Sequence, residues 1–179
     1  MKYEEYIRIC EKAYTYYEKA GIFLTKEEKK NLEVADFGLN DVERTGLQIV
    51  VYVNTKRVCA KEMVLLPQQT CAEHKHISTG GTEGKEETFR CRYGKVYLYV
   101  DGKQSGERQV NPPDGDEKYY TVSKEIVLNP GEQYTIYPNT LHWFKAGAEG
   151  AVITEFSTRS SDETDVFTDV RIKRTPIIK

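Results

Sequence analysis

From Leu47 onward the chain alternates apolar and polar residues over short runs, and this pattern does most to narrow its fold. The runs are Leu47–Val53, Val58–Leu66, Glu87–Arg92, Val96–Val100, Tyr119–Val122, Glu125–Leu128, Gln133–Tyr137, His142–Lys145 and Ala151–Phe156. They are rich in Val, Ile, Thr, Tyr and Phe. Turn signals at Tyr93-Gly94, Asp101-Gly102, Asn129-Pro130-Gly131 and Gly147 separate them. Period two places alternate side chains on opposite faces of a strand. Many short strands at regular spacing predict an all-β sandwich or barrel and argue against a parallel α/β sheet. Two polar stretches, Ser78–Lys85 and Gly102–Lys118, interrupt the pattern and read as surface loops.

The first 33 residues follow a different period. Tyr3, Ile7, Cys10, Tyr14 and Tyr17 recur at helical spacing, so their stripe is the expected seam against the body. Gly21 ends this helix, and Thr25 with Glu28 predicts a capped second helix through about Leu32. At 179 residues the chain is expected to form one domain: a helical arm over 1–33, a barrel over 47–157 and a tail over 158–179. The tail carries Val170, Ile172, Ile177 and Ile178, which suit docking on the body or on a partner subunit.

A net charge of −2 with no basic block argues against nucleic acid as a partner. No apolar run approaches the roughly 18–20 residues that span a bilayer. The charged, tyrosine-bearing stretch Met1–Tyr6 does not read as a signal peptide. Cys10, Cys59, Cys71 and Cys91 lack C-x-x-C spacing and are expected to be reduced core residues of a cytoplasmic protein.

The chain has only three histidines, and two stand in His74-Lys75-His76. At i and i+2 of an extended strand both imidazoles face the same side. Glu87 and Phe89 share a face of the next strand, and His142 opens a late one. Three imidazoles and a carboxylate suit a divalent first-row metal with positions left open for substrate. His74, His76, Glu87 and His142 are therefore the expected ligands.

The spacing resembles the cupin superfamily, whose motifs read G-x5-H-x-H-x3-4-E-x6-G and G-x5-P-x-G-x2-H. Glu87-x6-Gly94 fits the end of the first motif, and the Gly131-to-His142 distance fits the second. The sequence departs from the pattern at Gln68 and Thr140, where glycine is usual, and in the long gap between His76 and Glu87, so Ser78–Lys85 reads as an insertion beside the site. The resemblance implies a double-stranded β-helix, a jelly-roll barrel.

Longer strings resemble the D-lyxose isomerase family. They are Cys71-Ala72-Glu73-His74-Lys75-His76, Gly84-Lys85-Glu86-Glu87-Thr88-Phe89-Arg90, Tyr97-Leu98-Tyr99-Val100-Asp101-Gly102 and Pro138-Asn139-Thr140-Leu141-His142-Trp143-Phe144. The helical arm and the tail from Glu155-Phe156-Ser157 through Asp162-Glu163-Thr164-Asp165-Val166-Phe167 resemble it too. The resemblance implies a manganese-dependent homodimer, open to other divalent first-row ions, that interconverts free aldoses and ketoses: D-lyxose with D-xylulose and D-mannose with D-fructose.

All three histidines are then committed to metal, so other groups must move protons. In the resemblance Lys61 and Glu155 match the positions of the lysine and glutamate that do so. Lys61 shares a strand face with Met63 and Leu65, and Glu155 with Ala151 and Ile153. Phe89 and Phe144 are candidate walls of the substrate pocket. In the tail Asp162, Asp165 and Asp169 could reach sugar hydroxyls, and Asp169 is the expected substrate-binding residue. The ligand set alone leaves open an iron-dependent cupin dioxygenase or a non-catalytic sugar-binding cupin.

Overall fold

Alternating strands need two faces to bury their apolar side chains, and the chain meets this need by curling one sheet over itself. The computed structural model describes residues 1–104, 106–161, 164–175 and 178. Its helices are α1 (Tyr3–Lys19) and α2 (Lys26–Lys30). Its strands are β1 (Glu33–Ala35), β2 (Leu47–Asn54), β3 (Cys59–Leu65), β4 (Thr70–His76), β5 (Glu87–Val100), β6 (Lys124–Leu128), β7 (Gln133–Ile136), β8 (His142–Ser157) and β9 (Asp165–Phe167).

The two long strands pair antiparallel throughout, from Glu87 opposite Ser157 to Val100 opposite His142. The ribbon bends once, where bulges interrupt the register at Cys91/Tyr93 and Gly94/Val96. Gly94 and Gly150 sit at this corner with φ of 69° and 77°. A Cβ on Gly94 would lie 2.0 Å from the Gly150 carbonyl oxygen, so only glycine fits there. The sequence suggested two breaks here, at Tyr93-Gly94 and Gly147; the strands instead run through the corner unbroken.

Each half of the ribbon gathers its own neighbours. The end of β8 pairs with β3, which leads to β2 and β1, while the start of β5 pairs with β7. The start of β8 pairs with β4, which leads to β9, while the end of β5 pairs with β6. The two halves face each other as the expected jelly roll. Phe37, Ile49, Met63, Leu65, Phe89, Leu98, Phe144 and Ile153 fill the space between them.

Three expectations need correction. Tyr119–Val122 is no strand: a 3-10 turn spans Glu117–Tyr119, and Tyr120 and Val122 pack instead against Tyr99 and Trp143. The seam of α1 is Ile9, Cys10, Ala13, Tyr16 and Tyr17, so the stripe is rotated and Tyr3 and Ile7 are exposed. Residues 165–167 form a strand where only a docking tail was expected. Asp162 and Ile177 lie outside the described residues. The second helix has its capping box: the Thr25 hydroxyl accepts from the Glu28 amide while the Glu28 carboxylate accepts from the Thr25 amide. All four cysteines are buried free thiols. Among the described residues no helix is long and apolar enough to cross a membrane.

Two buried carboxylates on outward-facing positions tie the peripheral segments down. Glu73 accepts from the Thr121 amide at 2.6 Å, the Thr121 hydroxyl at 2.9 Å, the Val122 amide at 3.0 Å and the Thr168 hydroxyl at 2.7 Å. One side chain thus joins β4 to the long loop before β6 and to the end of β9. Removing it leaves these donors without their acceptor. Glu73→Ala is expected to lower stability by about 2–4 kcal/mol, read from urea denaturation midpoints.

Glu62 lies under α1, where the Tyr17 hydroxyl donates to its backbone carbonyl at 3.0 Å and Thr154 Oγ1 lies 2.9 Å from its carboxylate. Burial pushes its carboxyl up to about 7, against the opposing pull of Thr154 and Arg92. A folded-state value above the unfolded one means that the native protein holds the extra proton between them. Stability from this group is therefore present at low pH and lost as pH rises from the ordinary carboxylate range to about 7. Glu62→Gln is expected to remove that loss, seen as a flatter dependence of the urea midpoint on pH.

Candidate metal centre

The four expected ligands come from both halves of the barrel and meet between them. His74 and His76 stand at the end of β4, His142 opens β8 opposite His74, and Glu87 opens β5 on the other half. One ligand atom from each lies within 4.8 Å of the others, and all four residues are buried. The four residues named from the sequence thus lie together in the structure.

Hydrogen bonds fix the imidazoles. His74 Nδ1 lies 2.8 Å from the Ala72 carbonyl oxygen and His142 Nδ1 lies 3.0 Å from that of Thr140. A carbonyl oxygen can only accept, so each Nδ1 carries a proton, and Nε2 is the atom left to present a lone pair toward the cluster. His76 Nδ1 lies 2.5 Å from Asp165 Oδ1. His76 Nε2 and His142 Nε2 converge on Glu87 Oε1 at 3.1 and 3.0 Å.

This geometry tests whether a cation belongs there. His142 Nε2 is buried and has no hydrogen-bond partner among the described residues, although it faces a carboxylate oxygen. Two buried electron-rich atoms in contact need a positive charge between or beside them. Burial, with His142 and His76 as neighbours, holds His74 well below the usual histidine range, so that ring stays neutral. Burial would raise Glu87, but Lys85 and His76 hold its carboxyl well below the usual range. Burial would push the His76 ring down, but the Glu87 and Asp165 carboxylates outweigh it and raise it to about 9. This puts positive charge where three imidazoles and an ionised carboxylate form the donor set of a divalent cation.

Beside this cluster lies a chamber of about 40 Å³. Lys61, Glu155, Phe89 and Phe144 all line it, as do Lys85, Asp165, Phe167 and Arg174. Lys61 stands directly opposite Glu155 in the β3–β8 pairing, and its Nζ donates to Ser160 Oγ at 2.8 Å. Glu155 Oε1 accepts from Ser157 Oγ at 2.8 Å and from Lys85 Nζ at 3.1 Å. Phe89 and Phe144 meet edge to face with centroids 5.0 Å apart. Asp169 is not brought here: its carboxylate accepts from the backbone amide and guanidinium of Arg171.

Lys85 escaped the sequence reading, which took Ser78–Lys85 for a surface loop. Its side chain is 8% exposed and its Nζ also lies 2.5 Å from Glu87 Oε2. Burial alone would push its ammonium down, but Glu155 and Glu87 outweigh this and raise it. A signal existed: extending the period-two pattern back from Phe89 and Glu87 places Lys85 on the same side. Asp165 and Phe167 had a weaker one, being alternate residues of a strand only three long.

Known proteins bear on this centre. The sequence profile of the D-lyxose isomerase family matches residues 20–179. The D-lyxose/D-mannose isomerase of Thermosediminibacter oceani is 64% identical over 171 residues, covering 96% of this chain and 94% of that protein. The D-lyxose ketol-isomerase of Cohnella laeviribosi is 56% identical over 163 residues, covering 91% of this chain and 90% of that protein. Among solved structures, the L-ribose isomerase of Cellulomonas parahominis superposes with a TM-score of 0.79 over 100% of this chain and 98% of that one. At 16% identity that likeness concerns the fold alone. By its sequence over residues 20–179 the chain belongs to the D-lyxose isomerase family.

Proposed function

We propose that the protein is a metal-dependent isomerase of free sugars, converting D-lyxose to D-xylulose and D-mannose to D-fructose. The names of its relatives support both the reaction and the sugars. The observation that carries the reading is the pairing of two constellations in one chamber. His74, His76, Glu87 and His142 would hold the cation, and Lys61, Lys85 and Glu155 stand beside them. A binding protein would need the first set and not the second.

The reaction relocates one hydrogen between C1 and C2 of the sugar and one proton between O1 and O2. A divalent ion, Mn2+ in our reading, supplies Lewis-acid polarisation of adjacent sugar oxygens when bound. Glu155 takes the hydrogen from carbon as a proton and returns it to the neighbouring carbon. Lys61, across the strand pair, exchanges the oxygen-bound proton. Lys85 holds the Glu155 and Glu87 carboxylates toward each other. Phe89 and Phe144 form an apolar wall that limits water around the reacting carbons. The protein is proposed to work in the cytoplasm as a homodimer; exposed Val51, Tyr52 and Val53 on β2 suit self-association.

Incubation of Mn2+-loaded protein with a panel of free pentoses and hexoses is expected to yield ketose from D-lyxose and D-mannose. Dialysis against a chelator should abolish turnover and Mn2+ should restore it. Turnover that persists in metal-free protein would refute the reading.

Lys61→Ala and Glu155→Gln are each expected to lower kcat by about 10²–10⁴-fold with metal content unchanged. In D2O the unmodified protein should place deuterium on carbon in the ketose. Intact turnover in either variant would remove that residue from the catalytic set.

A further inference from the structure

The three candidate metal-binding histidines are not anchored alike. His74 and His142 each donate Nδ1–H to the backbone carbonyl two residues earlier, at Ala72 and Thr140. Those bonds are local to the chain around each ring. His76 has no such bond; its Nδ1 meets the Asp165 carboxylate, 89 residues away in sequence, at 2.5 Å. Asp165 stands directly opposite His76 in the β4–β9 register, and its side chain is 8% exposed. The next inward residue of β9, Phe167, stands opposite His74 and stacks on it, with ring centroids 5.3 Å apart and planes 29° from parallel.

We infer that β9 is a working part of the metal centre, in which Asp165 is the positioning residue for His76. The inference rests on the metal reading proposed above. A carboxylate accepting from Nδ1–H fixes the ring's tautomer and orientation and makes Nε2 a stronger donor atom. The strand is held in place independently of this contact. The Thr168 amide donates to the Glu73 carbonyl at 3.1 Å, the Thr168 hydroxyl to the Glu73 carboxylate, and the Lys173 amide to the Phe37 carbonyl at 2.9 Å. Asp165 is therefore held against His76 by backbone and side-chain bonds made just beyond β9, at Thr168 and Lys173. The two other rings take a partner from the backbone two residues before them.

The test is the affinity of the full-length protein for Mn2+, measured by competition with a chromophoric chelator. Asp165→Ala is expected to weaken binding about 10–100-fold. Asp165→Asn keeps an oxygen that can accept from Nδ1–H, so it should recover part of that loss. Val166→Thr, on the exposed side of the same strand, should bind as the unmodified protein does. Equal affinity in Asp165→Ala and the unmodified protein would overturn the inference. So would an equal loss in Val166→Thr, which would assign the effect to the strand and not to the carboxylate. If Asp165→Ala does not fold, the comparison of Asp165→Asn with Val166→Thr decides in the same way. Absence of Mn2+ binding in the unmodified protein would instead refute the metal reading itself.

Discussion

The antiparallel pairing of β5 with β8 carries the rest of the molecule because both halves of the jelly roll hang from it. The ribbon can serve two sheets only if it bends, and it bends where Gly94 meets Gly150. There the backbones approach so closely that a Cβ would collide with a carbonyl oxygen. Conformational freedom at two positions thus sets the relative placement of β3 and β4, and with them Lys61 and the histidine pair. Glu87 and His142 lie at opposite ends of the same ribbon's two strands, and the curl brings them to 3.0 Å. Closure of the barrel is what brings the charged centre together.

That centre concentrates like charges and lone pairs in a space from which water is largely excluded. Two carboxylates, Glu87 and Glu155, sit on one ammonium, and three rings face inward. Such an arrangement is costly unless each group is paired. The pairing is supplied from the periphery: Lys85 from the loop before β5 and Asp165 from the strand after β8. The polar segments that look like decoration on the barrel are what make its interior tolerable.

Sequence reading went furthest where a residue's role follows from its own neighbourhood. His74 and His76 share a face because they are two apart on a strand, and Glu87 is marked by its distance to Gly94. Lys61 and Glu155 stood on inward faces that alternation predicts, and the register pairs them. Legibility failed where the partner is distant or the element is short. β1 and β9 are three residues each, too few for a period to show. Lys85 ends a polar run whose composition says solvent, and only the carboxylates across the chamber hold it inside. Tyr119–Val122 has strand composition, yet its aromatic and aliphatic side chains are claimed by Tyr99 and Trp143, which leaves its backbone to Glu73. The glycine corner was misread because a bend within a paired ribbon and a turn between strands use the same residue.

His142 and Glu155 ride on a single strand, so no loop intervenes between the candidate metal-holding end and the candidate proton-moving end. Their separation is set by backbone rise and by one bend, both insensitive to side-chain change on the surface. The segments that line the rest of the chamber, before β5 and after β8, make contacts of their own there: Lys85 with Glu87 and Glu155, and β9 with β4. Surface substitutions leave the spacing of His142 and Glu155 to the backbone, whereas a change in either flanking segment reaches the centre through Lys85 or Asp165.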